Sequence, residues 1–150
     1  MRAVIQRVTS ASVVSDGIPT GNIGRGLLIL LGIEIHNDQS DVEWIGDKIW
    51  QMRIFQDEDD KMNLSLKEAG GEILVISQFT LHASTKKGNR PSFLKSARPE
   101  QAIPLYEHLK SFLALRSGLK IQSGIFGADM KVSLVNDGPV TIILDSKNKE

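Results

Sequence analysis

Gly71-Glu72-Ile73-Leu74-Val75-Ile76-Ser77-Gln78-Phe79-Thr80-Leu81-His82-Ala83 falls into two parts of opposite character. The first, Ile73 to Ile76, is an unbroken apolar run rich in β-branched residues, the pattern of a buried strand. The second turns polar within one strand's length, with Ser77, Gln78 and Thr80. Continued as a strand, it places Ser77, Phe79 and Leu81 on one face and Gln78, Thr80 and His82 on the other. A polar group left unpaired in such a place costs about 1–3 kcal/mol. These side chains are therefore satisfied inside the fold or by a ligand. Residue types alone leave both readings open and favour the internal one.

Outward from this stretch, the chain of 150 residues reads as one domain, 1–150, with 24% charged and 41% hydrophobic residues, as in soluble globular proteins. The formal net charge is zero, so no whole-molecule field points to nucleic acid. The absence of cysteine excludes a disulfide framework, a thiolate nucleophile and a cysteine zinc site. Met1 to Arg7 lacks a signal peptide's apolar core, and the longest apolar run, Leu27 to Ile33, is too short to cross a bilayer. No membrane association and a cytoplasmic location are the default expectations.

Upstream, Val4, Ile5, Val8, Val13 and Val14 predict a long strand over 2–15 with a bulge near Ser10. Asp16-Gly17 is a hairpin turn signal leading into a strand over 18–23, and a buried strand follows over 26–33. Ser40-Asp41-Val42-Glu43 has the form of a capping box with Ser40 at the N-cap. Val42, Ile45, Ile49 and Met52 then recur at helical spacing and predict a helix over 41–53. The acidic run Asp57 to Asp60 lacks calcium-loop spacing and reads as a solvated turn. Leu64 and Leu66 suggest a short strand or turn.

Downstream, residues 84–98 carry Lys86, Lys87, Arg90, Lys95 and Arg98 with no acidic residue among them. The segment reads as a solvated loop or as a holder of phosphates beside the polar strand end. Pro99 suits the first turn of a helix whose apolar face runs from Ala102 to Leu113, with Pro104 in or near that first turn and Gly118 ending it. Short strands are expected over 119–123, 130–135 and 140–144, the last two joined by Asn136-Asp137-Gly138-Pro139. This order does not alternate as in a doubly wound sheet. It predicts an α+β fold, a mixed and largely antiparallel sheet with two main helices.

Familiar catalytic signatures are missing: no Gly-x-Ser-x-Gly elbow, no His-Glu-x-x-His and no phosphate-binding Walker loop. His36, His82 and His108 are scattered and read as surface or half-buried side chains rather than ligands. Gly138-Pro139 reads as a turn, and residue types do not establish a cis bond there.

Six stretches in order carry a resemblance: Met1 to Val8, Lys61 to Ser65, Ser77 to Leu81, Lys87 to Phe93, Phe126 to Met130 and Asn136 to Thr141. Together they resemble the D-aminoacyl-tRNA deacylase family, also called D-tyrosyl-tRNA deacylase, over essentially the whole chain. The resemblance implies hydrolysis of the ester joining a D-amino acid to tRNA, with glycyl-tRNA also accepted and L-aminoacyl-tRNA rejected. It implies a homodimer with the two sheets facing each other in a barrel-like arrangement and the sites at the subunit interface. It makes Thr80, Ser77, Gln78 and Phe79 the catalytic pocket. A cis Gly138-Pro139 turn from the other subunit is the chiral filter, braced by Arg7, and Phe126, Gly127, Ala128 and Met130 close around the substrate. Lys86, Lys87 and Arg90 are the expected contacts to tRNA phosphates. No cofactor and no metal are expected. The attacking group is water positioned by the terminal 2′-hydroxyl, or else Thr80, for which no activating base is visible in the sequence. His82 stands where the family more commonly has tyrosine, so the resemblance assigns it no role. The reading from another class is a non-catalytic protein that binds the RNA acceptor end.

Overall fold

Strand β1, Arg2–Ser15, is the member on which the sheet is assembled. In the computed structural model, which describes residues 1–150, three other strands hydrogen-bond to it. Its first half pairs antiparallel with β3, Gly26–Gly32, and its second half with β2, Ile18–Ile23. Asp16 and Gly17 join β1 to β2 with φ of 49° and 81°. Two successive positive φ values are what a tight hairpin turn of the right twist demands, and Asp-Gly supplies them at low cost. Along the opposite edge of β1 runs β8, Met130–Asp145. Outward from β3, the order continues in parallel with β6, Glu72–Ser77, and then β7, Ile121–Ser123. A Cβ on Gly21 in β2 would fall 2.9 Å from Leu74 Cδ1 and 3.3 Å from the Ser123 carbonyl, so β2 folds back onto β6 and β7. The mixed sheet is thereby nearly closed and barrel-like.

One extra residue in β1 decides which side chains line the inside. Val8 pairs with Asn136 and Ser10 with Val135, so two steps of β1 oppose one step of β8. Such a bulge reverses the alternation of all later side chains. Before the bulge, Ala3 and Ile5 join the larger core beneath the helices and Val8, on the other face, the smaller core inside the sheet; after it, the odd-numbered Ala11 and Val13 join Val8 in the smaller core. Strands β3 and β6 contribute to both cores, with Leu27, Ile29, Ile73 and Val75 to the larger and Leu28, Leu74 and Ile76 to the smaller. This is why their sequences read as unbroken apolar runs.

The helices cover the larger core. Helix α1, Gln39–Gln51, begins two residues earlier than its sequence suggested, because Asp38 and not Ser40 is the N-cap. The Asp38 carboxylate accepts from the amides of Ser40 and Asp41, and Asp41 Oδ2 accepts from the Asp38 amide at 2.9 Å. Two carboxylates thus serve the free amides where the helix dipole favours negative charge. Helix α2, Pro99–Ser117, starts with Pro99 and ends at Gly118, whose φ of 70° is the usual left-handed helix stop. Pro104 lies inside this helix, beyond its first turn, on an exposed face. Gly46 lets the helices meet, since a Cβ there would lie 2.5 Å from Phe112 Cδ1. Tyr106 of α2 donates to the Val75 carbonyl at 2.9 Å and ties the helix to β6.

The acidic run is the turn of a separate ribbon formed by β4, Phe55–Gln56, and β5, Met62–Leu64, with Asp57 Oδ1 accepting from the amides of Asp59 and Lys61. Two further sequence expectations need correction. Residues 79–82 do not continue the central strand: Phe79–His82 is a 3-10 turn. Strand β3 stops at Gly32, so the backbone beyond Gln78 has no neighbour to pair with and closes on itself, Leu81 N–H to the Gln78 carbonyl and Ala83 N–H to that of Thr80. The alternating faces expected for Ser77 to His82 are therefore absent. Nor are 130–135 and 140–144 separate strands. They are one strand, β8, interrupted by a four-residue outward bulge, since Val8 pairs with Asn136 and Gln6 with Thr141.

Candidate active site

The polar end of the central stretch is built on β6. Ser77 is the last strand residue, opposite Leu31, and the Gln78 amide still donates to the Leu31 carbonyl at 2.7 Å. The chain then turns. Gln78 Nε2 donates to Thr80 Oγ1, which has no other side-chain partner. The amides of Phe79 and Thr80 head the 3-10 turn and donate to no acceptor in the chain. Phe79 projects its ring outward, 55% exposed, edge-on to Phe93 at 5.1 Å. The internal reading of these polar groups thus holds for Gln78 with Thr80, while two backbone donors remain free at the surface.

Three residues outside the sequence-predicted set hold this turn in place. Gly32 lies beneath it: a Cβ there would stand 2.9 Å from Leu81 Cβ, 3.0 Å from the Gln78 carbonyl and 3.1 Å from His82 Cδ2. Arg2 donates to the Leu81 carbonyl at 3.0 Å and to Asp145 at 2.8 Å, fastening the turn to the end of β8. Ser96 Oγ donates to the Phe79 carbonyl at 3.0 Å. An isolated glycine in an apolar strand is a signal of close backbone approach, and Gly32 carries it. Arg2 and Ser96 have no comparable signal, because their partners are distant in sequence.

His82 is buried beneath the turn, against the surface or half-buried expectation, and its Nε2 has no partner. Burial lowers its pKa, outweighing the Gly32 carbonyl and the Glu34 charge, so the ring is held neutral.

The second group of candidates is the β8 bulge. Arg7, buried, donates from Nε to the Asp137 carbonyl at 3.0 Å and from Nη1 to the Ile54 carbonyl at 2.6 Å, with the Asp137 carboxylate 3.5 Å away. Asn136 closes the bulge from within, accepting from the Val140 amide at 2.8 Å. Gly138 has φ +138°, the Gly138-Pro139 bond is cis, and both residues are exposed. A Cβ on Gly138 would meet Val140 Cγ2 at 2.8 Å and Arg7 Nη2 at 3.2 Å.

Register shows which candidates come together. Ser77 is level with Leu31 and Ala3, whereas Arg7, which holds the bulge, is level with Leu27 and Ile73. The Ser77–Thr80 turn and the Gly138-Pro139 bulge are therefore separated by about 13 Å along the strands of one chain. The Phe126–Met130 segment leaves β7 at the Ser77 end, since β7 runs parallel to β6 with Ser123 opposite Val75. Phe126 packs edge-on against Tyr106 at 5.6 Å, Gly127 has φ +78°, and Ala128 donates to the Ile125 carbonyl. Asp129 is tied through backbone and side chain to Asp16, and Met130 opens β8 opposite Ser15. Lys86, Lys87 and Arg90 are exposed and form no ion pair. A cavity of about 470 Å³ adjoins the turn through Arg2 and Leu81 but is lined by none of Ser77 to Thr80.

The fold and the layout of this turn and bulge define a class that comparison with known proteins identifies. A family model described as D-Tyr-tRNA(Tyr) deacylase matches residues 4–145. The D-aminoacyl-tRNA deacylases of Flavobacterium johnsoniae and Bacteroides thetaiotaomicron are each 59% identical over 150 residues, covering 100% of both chains. A solved structure titled c-Myc DNA Unwinding Element Binding Protein superposes with TM-score 0.89 at 43% identity, covering 97% of this chain and 98% of that one. Another, a probable eukaryotic D-amino acid tRNA deacylase, superposes with TM-score 0.79 at 16% identity over 95% and 97% of the two chains and attests the fold. The chain belongs to the D-Tyr-tRNA(Tyr) deacylase family.

Proposed function

We propose that the Ser77–Thr80 turn of one copy and the Gly138-Pro139 bulge of a second copy form the site at which this chain hydrolyses the ester joining a D-amino acid to tRNA. The reaction follows from family membership along the full chain: the protein is a hydrolase that deacylates D-aminoacyl-tRNA. The two-copy site rests on one observation, the separation of turn and bulge within a single chain. Strand β8 supports it, with Val135 and Ile143 56% and 71% exposed on a strand that pairs only with β1. A long free edge with exposed apolar side chains is a surface that another copy can cover.

In this reading the free amides of Phe79 and Thr80 receive the oxyanion as water adds to the ester carbonyl. The carbonyl–O3′ bond then breaks, O3′ takes a proton, and the free amino acid leaves. Thr80 is a pocket wall, since its hydroxyl meets Gln78 and no base. The 2′-hydroxyl of the terminal adenosine positions the water. The partner's bulge, held rigid by Arg7 and Asn136, leaves no room for an L side chain. Glycine passes the same filter, so glycyl-tRNA is a second substrate. Phe126, Gly127, Ala128 and Met130 line the end of the pocket, and Lys86, Lys87 and Arg90 hold phosphates of the acceptor end. A cytoplasmic location fits work on charged tRNA.

A paired assay on D-tyrosyl-tRNA and L-tyrosyl-tRNA tests this. Release from the D ester alone is expected, and Pro139→Ala should release the L ester too or stop turnover. Unchanged discrimination in that variant would remove the bulge from the site. Binding of both RNAs by the wild type without release would favour the RNA-end binding reading.

A further inference from the structure

Beside the proposed site lies a feature that ester hydrolysis does not use. The segment after the 3-10 turn comes back on itself through the Ser84–Ser92 bridge, then makes a tight turn from Phe93 to Ser96, closed by the Ser96 amide on the Phe93 carbonyl at 3.0 Å. At the tip of that turn stands Leu94, 86% exposed, where turn chemistry ordinarily puts Gly, Asn, Asp or Ser. Next to it Phe93 is 37% exposed and meets Phe79 edge-on. Ser96 pins this turn to the Phe79 carbonyl, so the Phe79–Phe93 pair forms a ledge fixed to the candidate catalytic turn, with the exposed Leu94 next in the chain to Phe93. The same segment carries Lys86, Lys87, Arg90, Lys95 and Arg98, none of them in an ion pair. The ledge is thus an aromatic and aliphatic platform set among uncompensated cations.

We infer that this ledge is a stacking platform for the unpaired bases at the 3′ end of the tRNA substrate, with Phe93 and Leu94 as its working residues. The inference rests on the tRNA reading above and extends it from phosphates to bases. A base offers a flat π-face to any aromatic side chain whatever its sequence, and a phosphate chain beside it seeks lysine and arginine. The combination suits a single strand and not a duplex, whose bases are already stacked. Because Phe79 belongs both to the ledge and to the candidate catalytic turn, bases stacked on Phe93 and Leu94 place the terminal ester next to the free amides.

The test is binding of uncharged tRNA and of the same tRNA lacking its unpaired 3′ nucleotides, by fluorescence anisotropy at fixed salt. The wild type should prefer the full-length RNA by about tenfold, the size of one stacked base. Leu94→Ser and Phe93→Ser should bind both RNAs alike, and Phe93→Tyr should restore the preference. Lys87→Ser should weaken both RNAs equally and flatten the salt dependence. Leu94 is nearly fully exposed, so its variant carries the test if Phe93→Ser fails to fold. Variants that keep the tenfold preference, or a wild type without one, overturn the platform. Cleavage of D-tyrosyl-tRNA is scored separately: no cleavage by the wild type overturns the reaction, and the binding comparison still decides the ledge.

Discussion

Thr80 illustrates how much one residue's surroundings decide. Its hydroxyl accepts from Gln78 and meets no imidazole or carboxylate. Thr80→Ala should therefore lower the deacylation rate by less than about tenfold, whereas removing a true nucleophile costs on the order of 10⁶. Single-turnover assays on D-tyrosyl-tRNA distinguish the two, and near-complete loss in a folded variant would make Thr80 the attacking group. Arg7 carries a different burden, since it satisfies the buried Ile54 carbonyl and the bulge at once. Arg7→Ala should destabilise the fold by about 2 kcal/mol through the unpaired carbonyl. It should also lose D-over-L discrimination. Urea unfolding measures the first effect, and an unchanged midpoint would show that water replaces the guanidinium.

Among elements, the 3-10 turn and helix α1 yield separate predictions. The turn rests on Gly32, and an alanine there must push Leu81 and Gln78 outward. Gly32→Ala should lower kcat by roughly tenfold with KM little changed, short of the 10²–10³ lost when an oxyanion donor is removed outright. Equal changes in both parameters would mean that the turn does not position the reacting group. At the start of α1, burial by itself would raise the Asp41 carboxyl. Hydrogen bonds from Ser146, the Asp38 amide, Lys147 and Asn37 outweigh it and hold the carboxyl well below its usual range. The folded pKa is depressed, so its contribution is complete above the unfolded value near about 4. It is lost as pH falls from there through the folded value. Urea midpoints measured from neutral to acid pH should fall more steeply for the wild type than for Asp41→Asn. Parallel curves would remove Asp41 as the source.

For the whole molecule, the prediction concerns assembly. If the site needs the bulge of a second copy, a charge on the free face of β8 should abolish activity without unfolding the chain. Ile143→Lys is expected to sediment as a monomer, keep its circular dichroism and lose deacylation of D-tyrosyl-tRNA. A monomeric variant with full activity would return the whole site to one chain.

The sequence by itself determined the class of fold and most of the elements. Buried strands, an Asp-Gly hairpin, a proline-to-glycine helix and an apolar helical stripe are local patterns, set by interactions a few residues apart. Through their family resemblance, the motif stretches point to Ser77 to Thr80, Gly138-Pro139 and Arg7 as the candidate site. What only the tertiary structure decided depends on neighbours distant in the chain. The central strand stops at Ser77 because β3 stops at Gly32. Asp38 displaces Ser40 as helix cap because the loop geometry lets it pair reciprocally with Asp41. The bulge splits no strand because Arg7 and Asn136 bridge it from β1 and from its own base. The separation of turn and bulge is a property of sheet register, which no local pattern encodes, and it is the reason for placing a second copy at the site.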